Sequence, residues 1–215
     1  MSLETIKNKY NYRQHTEIDI DTVCNFPLCI FDLSYKIDAD KLVNEIYAFK
    51  DMYPSSMSEY NKDYTNVRSW HSDYATHKMT NILDDLIEVQ KEKIKKFSYR
   101  SCRDGCIINT FNIWINIYST NDFTARHKHN DYCVSTVYYP FVEDDPTPII
   151  FDNNNFSNFK EYKIIPKKNM LIVFHSSLYH RVPKTKESCR ISISSNSSLE
   201  RTSNIDPFIF QQIGK

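Results

Sequence analysis

Apolar and polar positions alternate with two different periods along this chain. Between Asp38 and Pro54 the apolar residues Leu42, Val43, Ile46, Tyr47 and Phe49 recur every three or four positions, which predicts an amphipathic helix of about ten residues. From Thr80 onward Ile82, Leu83, Leu86, Ile87, Val89, Ile94 and Phe97 repeat that spacing, with Thr80 or Asn81 placed to cap a second helix. Residues 18–37 carry apolar clusters broken by Asp, Pro27 and Ser34, which suits one or two short strands. Residues 54–78 have no period and read as a loop or lid.

Beyond Gly105 the texture changes to short β-branched and aromatic runs at 107–118, 132–139, 148–151, 161–165, 170–174, 180–182 and 189–195. Seven short strands separated by turn signals predict a sandwich or barrel, with the polar stretch 197–203 as a surface loop. No internal repeat interrupts this order. The chain divides into helical support over about 1–105, a strand-rich core over 106–196 and a tail over 197–215, all within one domain.

A length of 215 residues suits a single closed core, and the 14% aromatic content excludes a disordered chain. Formal net charge is zero, which argues against a dedicated nucleic-acid binder. Gly105 and Gly214 are the only glycines, and neither lies in a phosphate-cradling turn, so nucleotide-binding loops are excluded. Turns therefore fall to Asn, Asp, Ser and Pro, as in Asp152-Asn153-Asn154-Asn155. Residues 1–12 lack an apolar signal core, and no segment is long and apolar enough to span a bilayer, which points to the cytoplasm and no membrane partner. Six cysteines are then expected as thiols, and Cys102 and Cys106, spaced like half a zinc site, have no second pair.

Candidate chemistry concentrates in the strand-rich half, where His127, His129, His175 and His180 all lie at or beside strand ends. In Arg126-His127-Lys128-His129-Asn130-Asp131, residues two apart share a face of a strand, so either His127 and His129 or His129 and Asp131 can converge on one ion. His180, after the apolar run 170–174, is the best third ligand. Two imidazoles and a carboxylate on one face of an octahedron leave three positions open, which is what Fe(II) needs to bind a bidentate co-substrate and then O2. Arg190 and Ser192 share a strand face, as do Asn116 and Tyr118.

In order, Trp114-Ile-Asn116-Ile-Tyr118, His127-Lys-His129, Ser135-Thr-Val-Tyr-Tyr139, Phe174-His-Ser-Ser-Leu-Tyr-His180 and Arg190-Ile-Ser192-Ile-Ser-Ser-Asn196 resemble the motifs of the 2-oxoglutarate and Fe(II)-dependent oxygenases. The likeness is to a hydroxylase subgroup of bacteria, phages and other viruses. It spans residues 66–196, with Ser69-Trp-His-Ser72 matching an upstream element. It implies a mainly β fold with flanking helices, a double-stranded β-helix (jelly-roll, cupin-like) with N-terminal helices packed on one sheet. It also implies Fe(II) as cofactor and 2-oxoglutarate and O2 as co-substrates. Departures are Thr136 for a glycine, Asn169 for a turn glycine and His175 for a proline.

Alignment to the subgroup selects His127 and His129, whereas the wider superfamily's His-x-Asp selects His129 and Asp131; His180 completes either set. By resemblance Arg190, with Ser192, pairs with the distal carboxylate of 2-oxoglutarate, and Asn116 and Tyr118 hydrogen-bond the co-substrate. Trp70, His71, Tyr74 and Tyr132 are candidates for the substrate mouth. The expected substrate is a protein or peptide side chain, as for prolyl hydroxylases, with a nucleobase or small metabolite as alternatives. A cupin-like metal-binding barrel without 2-oxoglutarate turnover, or an interaction protein on an inactive oxygenase fold, are the competing readings. If viral, the protein would act in the host cytoplasm.

Overall fold

A computed structural model of the chain describes residues 28–55, 66–67, 69–102, 106–129, 131–152 and 161–201. The expected N-terminal strand segment before residue 28 and the turn beyond Asp152 lie outside these residues. So do Cys24, Gly105, Gly214 and the side chains of Cys102 and Cys106. Cys29, Cys133 and Cys189 are thiols.

Strand β1 (Leu28–Asp32) leads into helix α1 (Ala39–Met52), then β2 (Asn66–Val67), β3 (Trp70–His71), a 3-10 turn (Thr76–Lys78) and helix α2 (Asp84–Cys102). Eight strands follow: β4 (Cys106–Tyr118), β5 (Phe123–His127), β6 (Val134–Val142), β7 (Ile149–Asp152), β8 (Tyr162–Ile164), β9 (Met170–His175), β10 (Tyr179–Val182) and β11 (Arg190–Arg201). They form a six-stranded sheet in the order β1-β9-β6-β11-β4-β3 and a five-stranded sheet in the order β2-β5-β10-β7-β8. All of the strand pairings within the two sheets are antiparallel. The chain passes from one sheet to the other as it winds from β4 to β11, the path of a jelly roll.

The larger sheet is buried on both faces, one apolar and one lined with polar groups near the cleft, and period two decides which residue serves which. Ile113, Ile115 and Ile117 of β4 and Ile191 and Ile193 of β11 pack with Leu42, Ile46 and Phe49 of α1 and Leu86, Ile94 and Phe97 of α2. The intervening residues Trp114, Asn116, Tyr118, Arg190, Ser192 and Ser194 line a cleft between the sheets. Farther from the mouth, Val137, Tyr139, Ile172 and Phe174 meet Ile149, Phe151 and Val182 of the smaller sheet. Each such fully buried aliphatic or aromatic side chain stabilises the fold by about 1.5–3 kcal/mol.

Asp38 caps α1, its Oδ1 accepting from the Lys41 amide at 3.0 Å, and Tyr53 closes it before Pro54. Helix α2 begins at Asp84, later than its periodicity predicts. Thr80 Oγ1 accepts from Ile82 N at 3.3 Å and Asn81 O from Asp84 N, a turn that precedes the helix rather than capping it. The expected loop at 54–78 contains β3, whose residues pair with Ile117 and Asn116. The expected surface loop at 197 is instead strand: β11 runs to Arg201, and Ser197 is fully buried opposite Phe111 and Val134. Polar composition misleads there, because small serines fit between paired strands. Strand β5 is absent from the predicted runs because Phe-Thr-Ala-Arg-His is short and half polar. Asn169 adopts φ 67°, the left-handed turn conformation that Asn tolerates better than most non-glycine residues. Among the described residues, no helix is long and apolar enough to cross a membrane.

Candidate active site

Three histidines meet at one end of the cleft. His127 ends β5 and lies directly opposite His180 of β10, while the pairing slips between there and Val182–Thr124. This bulge lets Thr124 and His127, three residues apart, both face inward. His129 follows the end of β5, its amide held by Ser176 O at 2.9 Å. The ligating atoms of His127, His129 and His180 all lie within 4.8 Å of one another.

His127 Nδ1 bonds Ala125 O at 2.8 Å and His180 Nδ1 bonds Leu178 O at 3.0 Å. A carbonyl can only accept, so Nδ1 carries the proton and Nε2 keeps its lone pair for the cleft. Burial lowers the pKa of all three rings, and their mutual repulsion adds to this for two of them. His129 falls to about 3, through burial and then the neighbouring His127. His180 lies well below its ordinary value, through burial and then His127 and His129, and burial lowers His127 against the opposing bond to Ala125. At neutral pH the cluster is three neutral imidazoles, the form that binds a transition metal. This donor set fits Fe(II), whose non-haem sites accept imidazole nitrogen.

Asp131 is exposed and lies outside the cluster. The period-two argument for it fails because the strand ends at His127, and the chain turns before Cys133 N reaches Ser197 O at 2.9 Å. His175 is also exposed, its Nδ1 engaged locally with Ser177 Oγ at 2.8 Å.

Arg190 is 1% exposed within the cleft. Its Nη1 donates to Thr147 O at 2.8 Å and its Nη2 to Tyr139 Oη at 3.1 Å, while Nε has no hydrogen-bond partner among the described residues. Glu187, equally buried, lies 3.8 Å from Nη1. Burial pushes the Glu187 carboxyl up, but hydrogen bonds from Thr147 and the backbone, with the Arg190 charge, hold it below its ordinary value. Arg190 is therefore a fixed, compensated cation with an unspent donor. Asn116 Nδ2 donates to Ser192 Oγ at 3.4 Å, and Tyr118 Oη shares a proton with Thr124 Oγ1 at 2.7 Å. All four sequence candidates for the co-substrate line the same cleft as the histidines.

At the mouth, His71 stacks on Trp114 with centroids 6.0 Å apart, and Tyr74 meets the Trp114 ring edge-on at 4.8 Å. Burial lowers His71 to about 4 against an opposing bond to Ser72 O. Trp70 does not join them. Adjacent to His71 on β3, it points to the helix side, donating Nε1 to Tyr53 O at 3.0 Å. Tyr132 is likewise outside the cleft lining, accepting from Asn112 Nδ2 at 2.6 Å. On the opposite lip Lys128 lines the cleft, and Arg126 lies 3.7 Å from the Tyr179 ring while bonding Asp152 at 2.8 Å and 3.0 Å.

Residues 112–196 match the family described as "Putative 2OG-Fe(II) oxygenase". The matched segment carries the three histidines and Arg190. The chain is an oxygenase whose cofactor is Fe(II) and whose co-substrates are 2-oxoglutarate and O2. Solved oxygenases share its fold. A Pseudomonas putida prolyl-4-hydroxylase is 16% identical at TM-score 0.55, covering 81% of this chain and 93% of that one. A Trichoplax adhaerens prolyl hydroxylase, solved with a hypoxia inducible factor peptide, is 16% identical at TM-score 0.58, covering 81% and 84%. The collagen prolyl hydroxylase of Paramecium Bursaria Chlorella virus-1, solved with 2-oxoglutarate, is 15% identical at TM-score 0.54, covering 82% and 99%. Among curated proteins none matches the chain.

Sequence reasoning missed Thr147 and Glu187 as parts of this oxygenase site, and used Trp114, Tyr139 and Asn196 only as motif markers. Period two on β6 signals Tyr139, since Val137 and Tyr139 share the cleft face. Nothing in the sequence brings Thr147 to Glu187, forty positions away, because that contact depends on how two loops meet.

Proposed function

We propose that this oxygenase hydroxylates a peptide or protein side chain, with Fe(II) held by His127, His129 and His180 and 2-oxoglutarate gripped at its distal carboxylate by Arg190. The observation that carries the reading is that the three histidines and the buried Arg190 line one cleft of about 850 Å³, its open mouth included. Fe(II) bound there supplies the redox centre at which 2-oxoglutarate and O2 yield succinate, CO2 and a hydroxylated substrate carbon.

The remaining work falls to the chain's own groups. The unused Nε–H of Arg190 gives a carboxylate a charge-assisted donor, and the bonds to Thr147 and Tyr139 hold the guanidinium plane before it arrives. Asn116, Ser192, Tyr118 and Thr124 supply neutral polar contacts along the co-substrate, away from bulk water. His71, Tyr74 and Trp114 offer an aromatic wall beside the metal end, suited to an apolar side chain or ring. The open mouth suits a polymer, as does the peptide-bound Trichoplax relative.

The test is succinate production from 2-oxoglutarate by Fe(II)-loaded protein under air, followed by mass spectrometry of proline-containing peptides for an added oxygen. Succinate formation with peptide oxidation is expected. Succinate without peptide oxidation, joined by oxidation of a nucleobase or small metabolite, would replace the peptide reading. No succinate and no 2-oxoglutarate binding would reduce the site to a metal-binding barrel.

A further inference from the structure

The three imidazoles are not anchored alike. Backbone carbonyls fix the Nδ1 protons of His127 and His180, and a carbonyl cannot reverse its role. His129 has a reversible partner instead: Asn196 Nδ2 lies 3.2 Å from its Nδ1. Asn196 Oδ1 accepts from Ser135 Oγ at 2.7 Å, and Ser135 Oγ lies 2.8 Å from Ser176 Oγ. Asn196, Ser135 and Ser176 are all buried.

With the amide oriented this way, His129 Nδ1 accepts and its proton sits on Nε2, where it would block metal coordination by that atom. Rotating the amide by half a turn reverses each contact without losing one. Asn196 Oδ1 then accepts from His129 Nδ1–H, Nδ2 donates to Ser135 Oγ, and the Ser135 hydroxyl donates to Ser176. Both states satisfy every group, because amide orientation follows the hydrogen-bond network and hydroxyls can turn.

We propose that Asn196 is a positioning residue for the metal site, its amide and the Ser135–Ser176 hydroxyl pair setting which nitrogen of His129 faces the ion. The proposal rests on the three-histidine assignment made above. It makes His129 the adjustable ligand and the other two the fixed ones. Asn196 acts only through His129 and touches no substrate.

The test uses Mn(II) titrated by calorimetry into the apo full-length chain, with no turnover required. Asn196→Ala is expected to weaken Mn(II) binding about 10- to 100-fold, as loss of such partners typically does. Asn196→Asp, nearly isosteric and able only to accept, should bind at least as tightly as the unaltered chain. In the Zn(II)-loaded protein, the His129 Nδ1–H resonance should be observed and protected in the unaltered chain and in Asn196→Asp, and lost to exchange in Asn196→Ala. The His127 and His180 signals should persist in all three. Mn(II) affinity within twofold of normal for Asn196→Ala, or an unprotected His129 signal in the unaltered chain, would overturn the role of Asn196 alone. Failure of the unaltered chain to bind Mn(II) at all would remove the metal assignment and this proposal with it.

Discussion

Replacing Arg190 by lysine isolates the guanidinium fork from its charge. The lysine keeps a cation on the same side chain position, so buried Glu187, 3.8 Å from Arg190 Nη1, stays compensated. Arg190→Ala would instead strand that carboxylate at a stability cost of about 3–5 kcal/mol, blurring any binding result. An ammonium has no planar fork. It cannot serve Thr147 O and Tyr139 Oη and still face a carboxylate side-on, as Nη1, Nη2 and the unspent Nε of Arg190 can. One charge-assisted hydrogen bond is lost, about 1.5–3 kcal/mol, which corresponds to about 10- to 150-fold in affinity. The assay is calorimetry of 2-oxoglutarate against Mn(II)-loaded protein without O2, with pyruvate, which lacks the distal carboxylate, as control. Arg190→Lys should weaken 2-oxoglutarate and leave pyruvate unchanged. Equal losses for both acids, or an affinity for 2-oxoglutarate within twofold of normal, would refute the assignment of Arg190 to that carboxylate.

Two further outcomes follow from the histidine cluster. His127→Ala and His180→Ala should each abolish tight Mn(II) binding, whereas Asp131→Ala should leave it within about twofold, because Asp131 is exposed and outside the cluster; strong loss in Asp131→Ala would restore the carboxylate register. Stability of the metal-free protein should fall as the pH drops below the ordinary histidine value of 6.5. His129 at about 3 and His71 at about 4 stay neutral in the fold while the unfolded chain takes up their protons. Each such ring costs about 1.4 kcal/mol per pH unit over that window, and the effect is absent above it. Thermal melting of apo protein between pH 7.5 and 5 measures this, and a flat midpoint would show that the rings are not held neutral.

Much of the site was legible because period two is rigid. Once Trp114, Asn116 and Tyr118 share a strand face with isoleucines between them, one set must face the core and the other a cavity. The same holds for Arg190 and Ser192 on β11. The order of motifs placed His180 near His127, and the structure pairs them across adjacent strands. The rule failed where the strand itself was irregular or ended. The bulge in β5 changes the spacing of inward residues from two to three, and the turn after His129 removes Asp131. Trp70 looked like a mouth residue because aromatic side chains on an expected loop suit a mouth, but it lies on a strand, where it and its neighbour His71 face opposite ways. The clamp of Thr147 and Glu187 on Arg190 was out of reach, since loop contacts between distant residues have no period to read.

The direct opposition of His127 and His180 has a consequence for the smaller sheet as a whole. An ion shared by those two rings is a cross-strand staple between β5 and β10, strands otherwise paired over few residues. Opening that edge would require releasing the ion, so occupancy and local unfolding are thermodynamically linked, with added protection growing as the logarithm of metal concentration over its dissociation constant. Amide exchange in β5 and β10 would then slow on metal addition while the helix-covered sheet changed little. The metal site would thus report its own filling through the backbone that surrounds it.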